Sequence, residues 1–327
     1  MTTRLIATAP YPQSTYIDSV TWDWDSVVRR AGGSDNWPIT WADNGHQYTS
    51  WGDGGGFGGT RVSLGVARIE GSADSFTGIN VWGGDNAENP AQFDGKSYGI
   101  LSVDGDLYQW LRQTDKVGGG ETHGRLAKST DHGATWTRAD WDYGASTISG
   151  VFSETILNFG QDYAGARDDY VYSYLTHSKA GGGFNIVKIN ASGSPDSSGT
   201  GKINLARVPK DQIMSQGAYE YYTGDIGGTP QWSSDLTQRA PVFEDPNGVG
   251  WNASVSYNAG LGRYLLMTEH FAGGINQFTG NLGLFESTEP WGPWKTIEYV
   301  ENDDWGGFGS TFFWNFSNKW TSPRSSE

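Results

Sequence analysis

The feature that most constrains this chain is a recurrence of short runs in which aromatic and β-branched residues alternate with polar ones, with no stretch that reads as a helix. WPITWADNGHQYTSW, SYGILSVDGDLYQWLR, DYVYSYLTH, WNASVSYNAGLGRYLLMTEH and NLGLFESTEPWGPWKTIEYV carry it most clearly. Turn chemistry divides three of the runs into hairpins, at Asp43-Asn44-Gly45, at Val103-Asp104-Gly105-Asp106 and at Asn258-Ala259-Gly260-Leu261-Gly262. A fourth hairpin is expected over Tyr170 to Asn190. With 48 glycines and 46 aromatic residues (16 Trp, 16 Tyr, 14 Phe), the chain has the material for many tight turns and packed strands.

The hairpins begin near residues 37, 97, 170 and 251, and an aromatic segment from Phe312 to Trp320 is placed to pair with the first strands. That spacing predicts an all-β, five-bladed β-propeller of four-stranded antiparallel blades around a central channel, as a single domain over 1–327, with six or seven blades as the alternative. Ser129-Thr130-Asp131-His132-Gly133-Ala134-Thr135-Trp136 is a full Asp-box, and Ser287 to Trp294 is a degenerate copy. In such a turn the Asp caps its own backbone and the Trp packs between blades, so the motif reports fold rather than chemistry. Ala191 to Thr200, rich in Ser and Gly, reads as a loop.

A formal charge of -15 argues against nucleic acid and anionic membranes as partners, because both need clustered Lys and Arg. The absence of cysteine excludes disulfides, thiolate metal sites and sulfur nucleophiles. No P-loop, HExxH or GxSxG pattern is present. No cofactor or metal is expected, a structural calcium at Asp104-Gly105-Asp106 being the alternative. Composition suits a secreted, monomeric enzyme whose leader is not part of the chain, acting on carbohydrate.

If Asp43-Asn44-Gly45 is a three-residue loop, the flanking strands mirror each other about Asn44, and Asp35 faces Asp53 at the end away from the turn. Facing residues hold their Cβ atoms about 4.5 to 5.5 Å apart, and glycosidase carboxyl pairs need about 5 to 9.5 Å. Two close carboxylates titrate apart, giving one acid and one base or nucleophile. A cation site or a pair of turn caps explains the two residues equally well. Trp37 and Trp51 flank the pair as candidate sugar platforms, beside Trp82. The same end of the other hairpins is expected to carry Asp94 and Arg112, Arg167 and Asp168, and Glu269 and His270, with Tyr163 nearby.

SDNWPITWADNGHQYTSWGDGGGF, followed by the Asp-box, SVSYNAGLGRYLL and STEPWGPW, resembles domain-of-unknown-function family 4185. Some members of that family are assigned to glycoside hydrolase family 183, endo-D-arabinanases on a five-bladed propeller. The resemblance implies an arabinan-like furanoside as substrate and places the family's two acids on Asp35 and Asp53. The segments here read Ser34-Asp35-Asn36-Trp37 and Gly52-Asp53-Gly54, without the family's T-D-L-G-like and G-D-T-like sequences.

Three functions are therefore expected in order. The first is glycoside hydrolysis by Asp35 and Asp53. The second is a polysaccharide lyase using His270 or Tyr163 as base, with Arg112 and Arg167 on a uronate. The third is a non-catalytic sugar-binding propeller. A sialidase ranks lower, because only one full Asp-box is visible.

Overall fold

In the computed structural model, the residues described are 8–113, 123–144, 150–179, 201–250, 253–270, 280–301 and 312–321. The fourth predicted hairpin runs past this set at residue 180, and the Ala191 to Thr200 loop lies outside it.

Four antiparallel sheets follow one another along the chain. The first contains β1 (Asp35–Trp41), β2 (Gln47–Gly54), β3 (Val62–Ser72) and β4 (Ser75–Trp82). The second contains β5 (Lys96–Val103), β6 (Asp106–Gln113), β7 (His123–Ser129), β8 (Thr137–Arg138) and β9 (Tyr143–Gly144). The third contains β10 (Gly150–Ile156), β11 (Tyr170–Lys179), β12 (Lys202–Pro209), β13 (Glu220–Ile226), β14 (Thr229–Ser233) and β15 (Pro241–Glu244). The fourth contains β16 (Ala253–Asn258), β17 (Arg263–Glu269), β18 (Leu282–Ser287) and β19 (Lys295–Val300).

The first strand of each sheet lies at the axis, where β1 meets β5, β5 meets β10, and β10 meets β16. The molecule is thus a β-propeller with four blades among the described residues, not the five expected. The aromatic segment that was to start the fifth blade forms no strand: residues 312–317 are irregular, with Phe313 at φ 58°. Its side chains bond to backbone instead, Asn315 Nδ2 donating to Trp37 O at 3.3 Å, Asn318 Nδ2 to Tyr257 O at 2.9 Å and Lys319 Nζ to Gly45 O at 2.7 Å. This segment and the N-terminal one occupy the space between the fourth sheet and the first. Ile17, Val20, Trp22, Trp314 and Phe316 cover the apolar face formed by Leu265, Met267, Leu282, Leu284 and Ile297. Gln13 pairs in parallel with Thr296 at the edge of β19.

Apolar clusters join the sheets elsewhere. Tyr48, Leu64, Val66 and Trp82 of the first sheet pack on Ile100, Leu107, Leu111 and Trp136 of the second. A larger cluster joins the second, third and fourth sheets. At the axis, Asn158 Oδ1 accepts from Thr40 Oγ1 at 2.7 Å, its Nδ2 donates to Ile100 O at 3.3 Å, and its backbone carbonyl accepts from Tyr257 N at 3.1 Å, so one residue of the third blade is tied to the other three. Beside these bonds lies a cavity of about 20 Å³, lined in part by Ile39, Ile100, Val255 and Phe313, space for about one water.

The turn from Ser129 to Trp136 is closed from within: Asp131 Oδ1 accepts from Thr135 N at 2.9 Å, and Trp136 Nε1 donates to Gly133 O at 3.0 Å. Its Asp is occupied by backbone and its Trp is buried. No helix among the described residues is long and apolar enough to cross a membrane.

Candidate functional site

The hairpin turns of the first and second sheets and the loop joining β10 to β11 lie on one rim. Gln161 Nε2 donates to Asp43 O at 3.1 Å, and Gly105 N donates to Asp162 Oδ2 at 3.1 Å. The opposite rim carries the starts of β1, β5, β10 and β16 and the ends of β2, β6, β11 and β17.

Asp35 opens β1 on that second rim. The predicted mirror holds from Trp41↔Gln47 to Ile39↔Thr49, then slips by one, so that Asp35 faces Gly52 rather than Asp53. The slip is a β-bulge at Trp37-Pro38, and its cause is Pro38, which has no N–H to give to the ladder. Asn36 (φ 74°), Trp37 (φ 62°) and Asp53 (φ 49°) all take left-handed backbone there. Each such non-glycine residue costs on the order of 1–3 kcal/mol, and strain of this kind concentrates at functional sites. A Cβ at Gly52 would lie 2.7 Å from Asp35 Oδ1 and 2.8 Å from Asn36 Nδ2, so any larger residue there displaces these side chains.

The two aspartates stay on one rim in opposite electrostatic states. Burial raises the Asp35 carboxyl to about 6, with Lys96 pulling it down and the charge of Asp53 pushing it up. Asp35 Oδ1 is buried without a hydrogen-bond partner. For Asp53, burial also acts upward, but hydrogen bonds from Lys96 and Arg61 outweigh it and hold the carboxyl below its ordinary value. Both cations grip the same oxygen, Oδ1, Lys96 Nζ at 2.5 Å and Arg61 at 2.9 Å. Lys96 comes from the second blade, and its Nζ also donates to Ser63 O at 3.0 Å.

Lys96 and Arg61 were missed by sequence reasoning. A signal for Lys96 existed: it opens the innermost strand of the second blade as Asp35 opens that of the first.

The other predicted residues are distributed differently. Tyr163, Arg167 and Asp168 lie in the β10–β11 loop, on the turn rim, because β11 is the second strand of its hairpin and not the first. Tyr163 is buried with its hydroxyl on Tyr170 O at 2.8 Å, and Arg167 pairs with Glu289 and lies 4.7 Å over the Trp291 ring. Arg112 is on the Asp35 rim, opposite Lys96 in the ladder, but buried, its guanidinium 5.8 Å from the Tyr98 ring.

Glu269 ends β17 on the same rim, buried against Gly250 with neither carboxylate oxygen hydrogen-bonded, and burial holds it well above the usual range. His270 turns the other way, stacked 3.8 Å from the Tyr299 ring with Nε2 on Val300 O at 3.0 Å, and burial lowers it to about 4.

Trp51 is fully buried and cannot be a sugar platform; Trp37, stacked on it at 5.9 Å, is half-buried. Trp82 belongs to the core between the first two blades. The residues a lyase would combine are therefore split between two rims and the interior. At the suggested calcium turn, Asp106 pairs with Lys128 at 2.6 Å, and the described residues contain no group of three or more His, Asp or Glu placed to hold a metal.

Residues 98–312, more than half of the chain, match the family described as a domain of unknown function, DUF4185. No curated protein matches the chain. Among solved structures, a protein of Bacteroides ovatus described as a candidate hydrolase is 14% identical, with a TM-score of 0.52 over 84% of this chain and 71% of that one, and shares the fold. An α-L-arabinofuranosidase from Podospora anserina is 12% identical at a TM-score of 0.42, covering 90% of this chain and 76% of that one. A GH43_1 enzyme from Xanthomonas citri is 14% identical at a TM-score of 0.43, covering 82% and 73%.

Proposed function

The chain belongs to the DUF4185 family, and on that premise we propose that it is a glycoside hydrolase in which Asp35 is the general acid and Asp53 the base or nucleophile. The observation that carries the reading is the pairing of a carboxyl raised to about 6 with a neighbouring carboxylate held ionised by two cations. Asp35 keeps its proton into weakly acidic solution and delivers it to the departing glycosidic oxygen. Asp53, with Oδ2 clear of both ion pairs, takes a proton from the attacking water or attacks the anomeric carbon itself. The anomeric configuration of the first product distinguishes these two routes. The reading needs no cofactor, and it suits a monomer exported to act on a poly- or oligosaccharide, with arabinan-like furanosides as the first to screen.

The test is reducing-end release from a polysaccharide panel by the wild type and by Asp35→Asn and Asp53→Asn. Each variant is expected to lose about 10²- to 10⁴-fold in kcat. Full activity in either variant removes that residue from the mechanism.

A further inference from the structure

Five aromatic rings form a continuous ladder down the flank of the first blade. Trp51 stacks on Trp37 at 5.9 Å, Trp37 meets Phe57 at 5.3 Å, Phe57 meets Phe76 at 6.5 Å, and Phe76 meets Trp320 at 5.4 Å. Trp51 is sealed in the interior, while the other four are half-buried and line one cleft of about 420 Å³. That volume falls within the range of ligand pockets, about 300–1,000 Å³. The cleft begins beside the proposed site, at Ser34 and Trp37, and ends at Trp320 near the turn rim. Its wall on the far side is the N-terminal segment 28–32, which brings the exposed Arg29 and Arg30 to the edge.

We propose that this cleft is a second carbohydrate-binding site, which takes the part of a glycan chain that extends beyond the bond at Asp35. The inference rests on the hydrolase reading for the identity of the occupant. Three features point to sugar. Successive half-exposed rings offer flat apolar faces for the C–H faces of successive sugar units. The cleft is continuous with the rim where the bond is cleaved. Its edge supplies guanidinium N–H groups that can donate to the oxygens of the ring hydroxyls, and Arg30, with Nη1 on Arg29 O at 3.0 Å, is held over the Phe76 ring at 5.9 Å. The exterior wall is built from both termini, Arg29 and Arg30 on one side and Trp320 on the other, so a polymer lying there crosses the seam between the fourth blade and the first.

Electrophoresis through native gels containing linear arabinan, xylan, galactan or pectate reads this site directly. The gels are run with the Asp35→Asn variant so that polymer is not consumed. One polymer is expected to retard the chain, and Phe76→Ala and Trp320→Ala each to weaken that retention about three- to tenfold. Arg30→Ala, at an exposed position that does not threaten the fold, is expected to weaken it about twofold or more. The inference is overturned if no polymer retards the chain, if all three variants are retained like their parent, or if the cleft binds an apolar dye such as anilinonaphthalene sulfonate that no polymer displaces. Failure of the catalytic reading appears separately, as unchanged turnover in the Asp35→Asn and Asp53→Asn enzymes.

Discussion

Lys96 is the residue on which both aspartates depend. Its ammonium holds Asp53 Oδ1 at 2.5 Å, and it is also the foremost influence opposing the burial that raises Asp35. With Lys96→Met, Asp35 keeps its burial and the neighbouring charge of Asp53 but loses the opposing cation, so its carboxyl rises further above 6. Asp53 loses one of the two hydrogen bonds that outweigh its burial, so it rises as well. If Asp35 is the acid, activity falls as pH rises through its titration, and if Asp53 is the base, activity falls as pH drops through its own. Both limbs of the kcat/KM profile are therefore expected to move to higher pH in Lys96→Met, with Lys96→Arg restoring most of the wild-type profile. Limbs that stay in place would show that Lys96 only joins the blades.

At the scale of elements, the bulge in β1 and the seam between the fourth and first blades decide how the site is built. Gly52→Ala puts a methyl group 2.7 Å from Asp35 Oδ1 and 2.8 Å from Asn36 Nδ2, with the Lys96 stem 3.1 Å away. It is expected to cost about tenfold or more in activity, with a loss of about 1–3 kcal/mol in stability, the range for overpacking; wild-type turnover would mean Asp35 acts from another rotamer. Ending the chain at residue 311 removes Phe313 and Phe316 from the axis and the seam. At about 1.5–3 kcal/mol for a fully buried side chain, and less for the partly buried Phe316, the thermal midpoint is expected to fall by roughly 4–9 °C. These two elements also mark where the sequence stopped being legible. The turns at Asn44-Gly45 and Asp104-Gly105 were readable because their backbone demands are local. So was the common end of Asp35 and Asp53. The one-residue slip was marked by Pro38, yet its effect on Asp53 depended on how Lys96 and Arg61 close on it from β5 and the β2–β3 loop. The run Tyr170–Lys179 was legible as a strand, but nothing local told that its hairpin partner came before it, which sent Arg167 and Asp168 to the wrong rim. Phe312 to Trp320 has the composition of a strand, but beside the edge strands β1 and β16 it is held by side-chain bonds to Trp37 O and Tyr257 O and not by a ladder, and nothing local in its sequence tells these apart.

Across the whole molecule, the buried carboxyls set a pH dependence that the surface charge reinforces. Asp35 and Asp245 are each raised to about 6, Asp245 by burial against its hydrogen bonds to Tyr299 and Asn247. Burial also raises Glu154 and Glu269 well above the usual range, and neither has a hydrogen-bond partner for its carboxylate oxygens. A carboxyl whose folded pKa exceeds its unfolded value, about 3.9 for Asp and 4.3 for Glu, contributes stability that is complete below the unfolded value and lost as pH rises through the folded one. A net charge of -15 adds self-repulsion in the same direction. Against this, Asp43, Asp53 and Asp131 are lowered, and what they contribute is present above about 3.9 and lost on acidification below it. Stability is therefore expected to peak between about pH 4 and 6 and to decline toward pH 8. Glu269→Gln isolates one of these contributions, because it keeps the shape against Gly250 while removing a charge that has no partner. Its midpoint in a thermal melt is expected to lie above wild type at pH 8 and to converge with it near pH 4.5. An equal offset at both pH values would mean that Glu269 titrates in the folded chain as it does in the unfolded one, and the decline would then have to come from Glu154, Asp35, Asp245 and the surface.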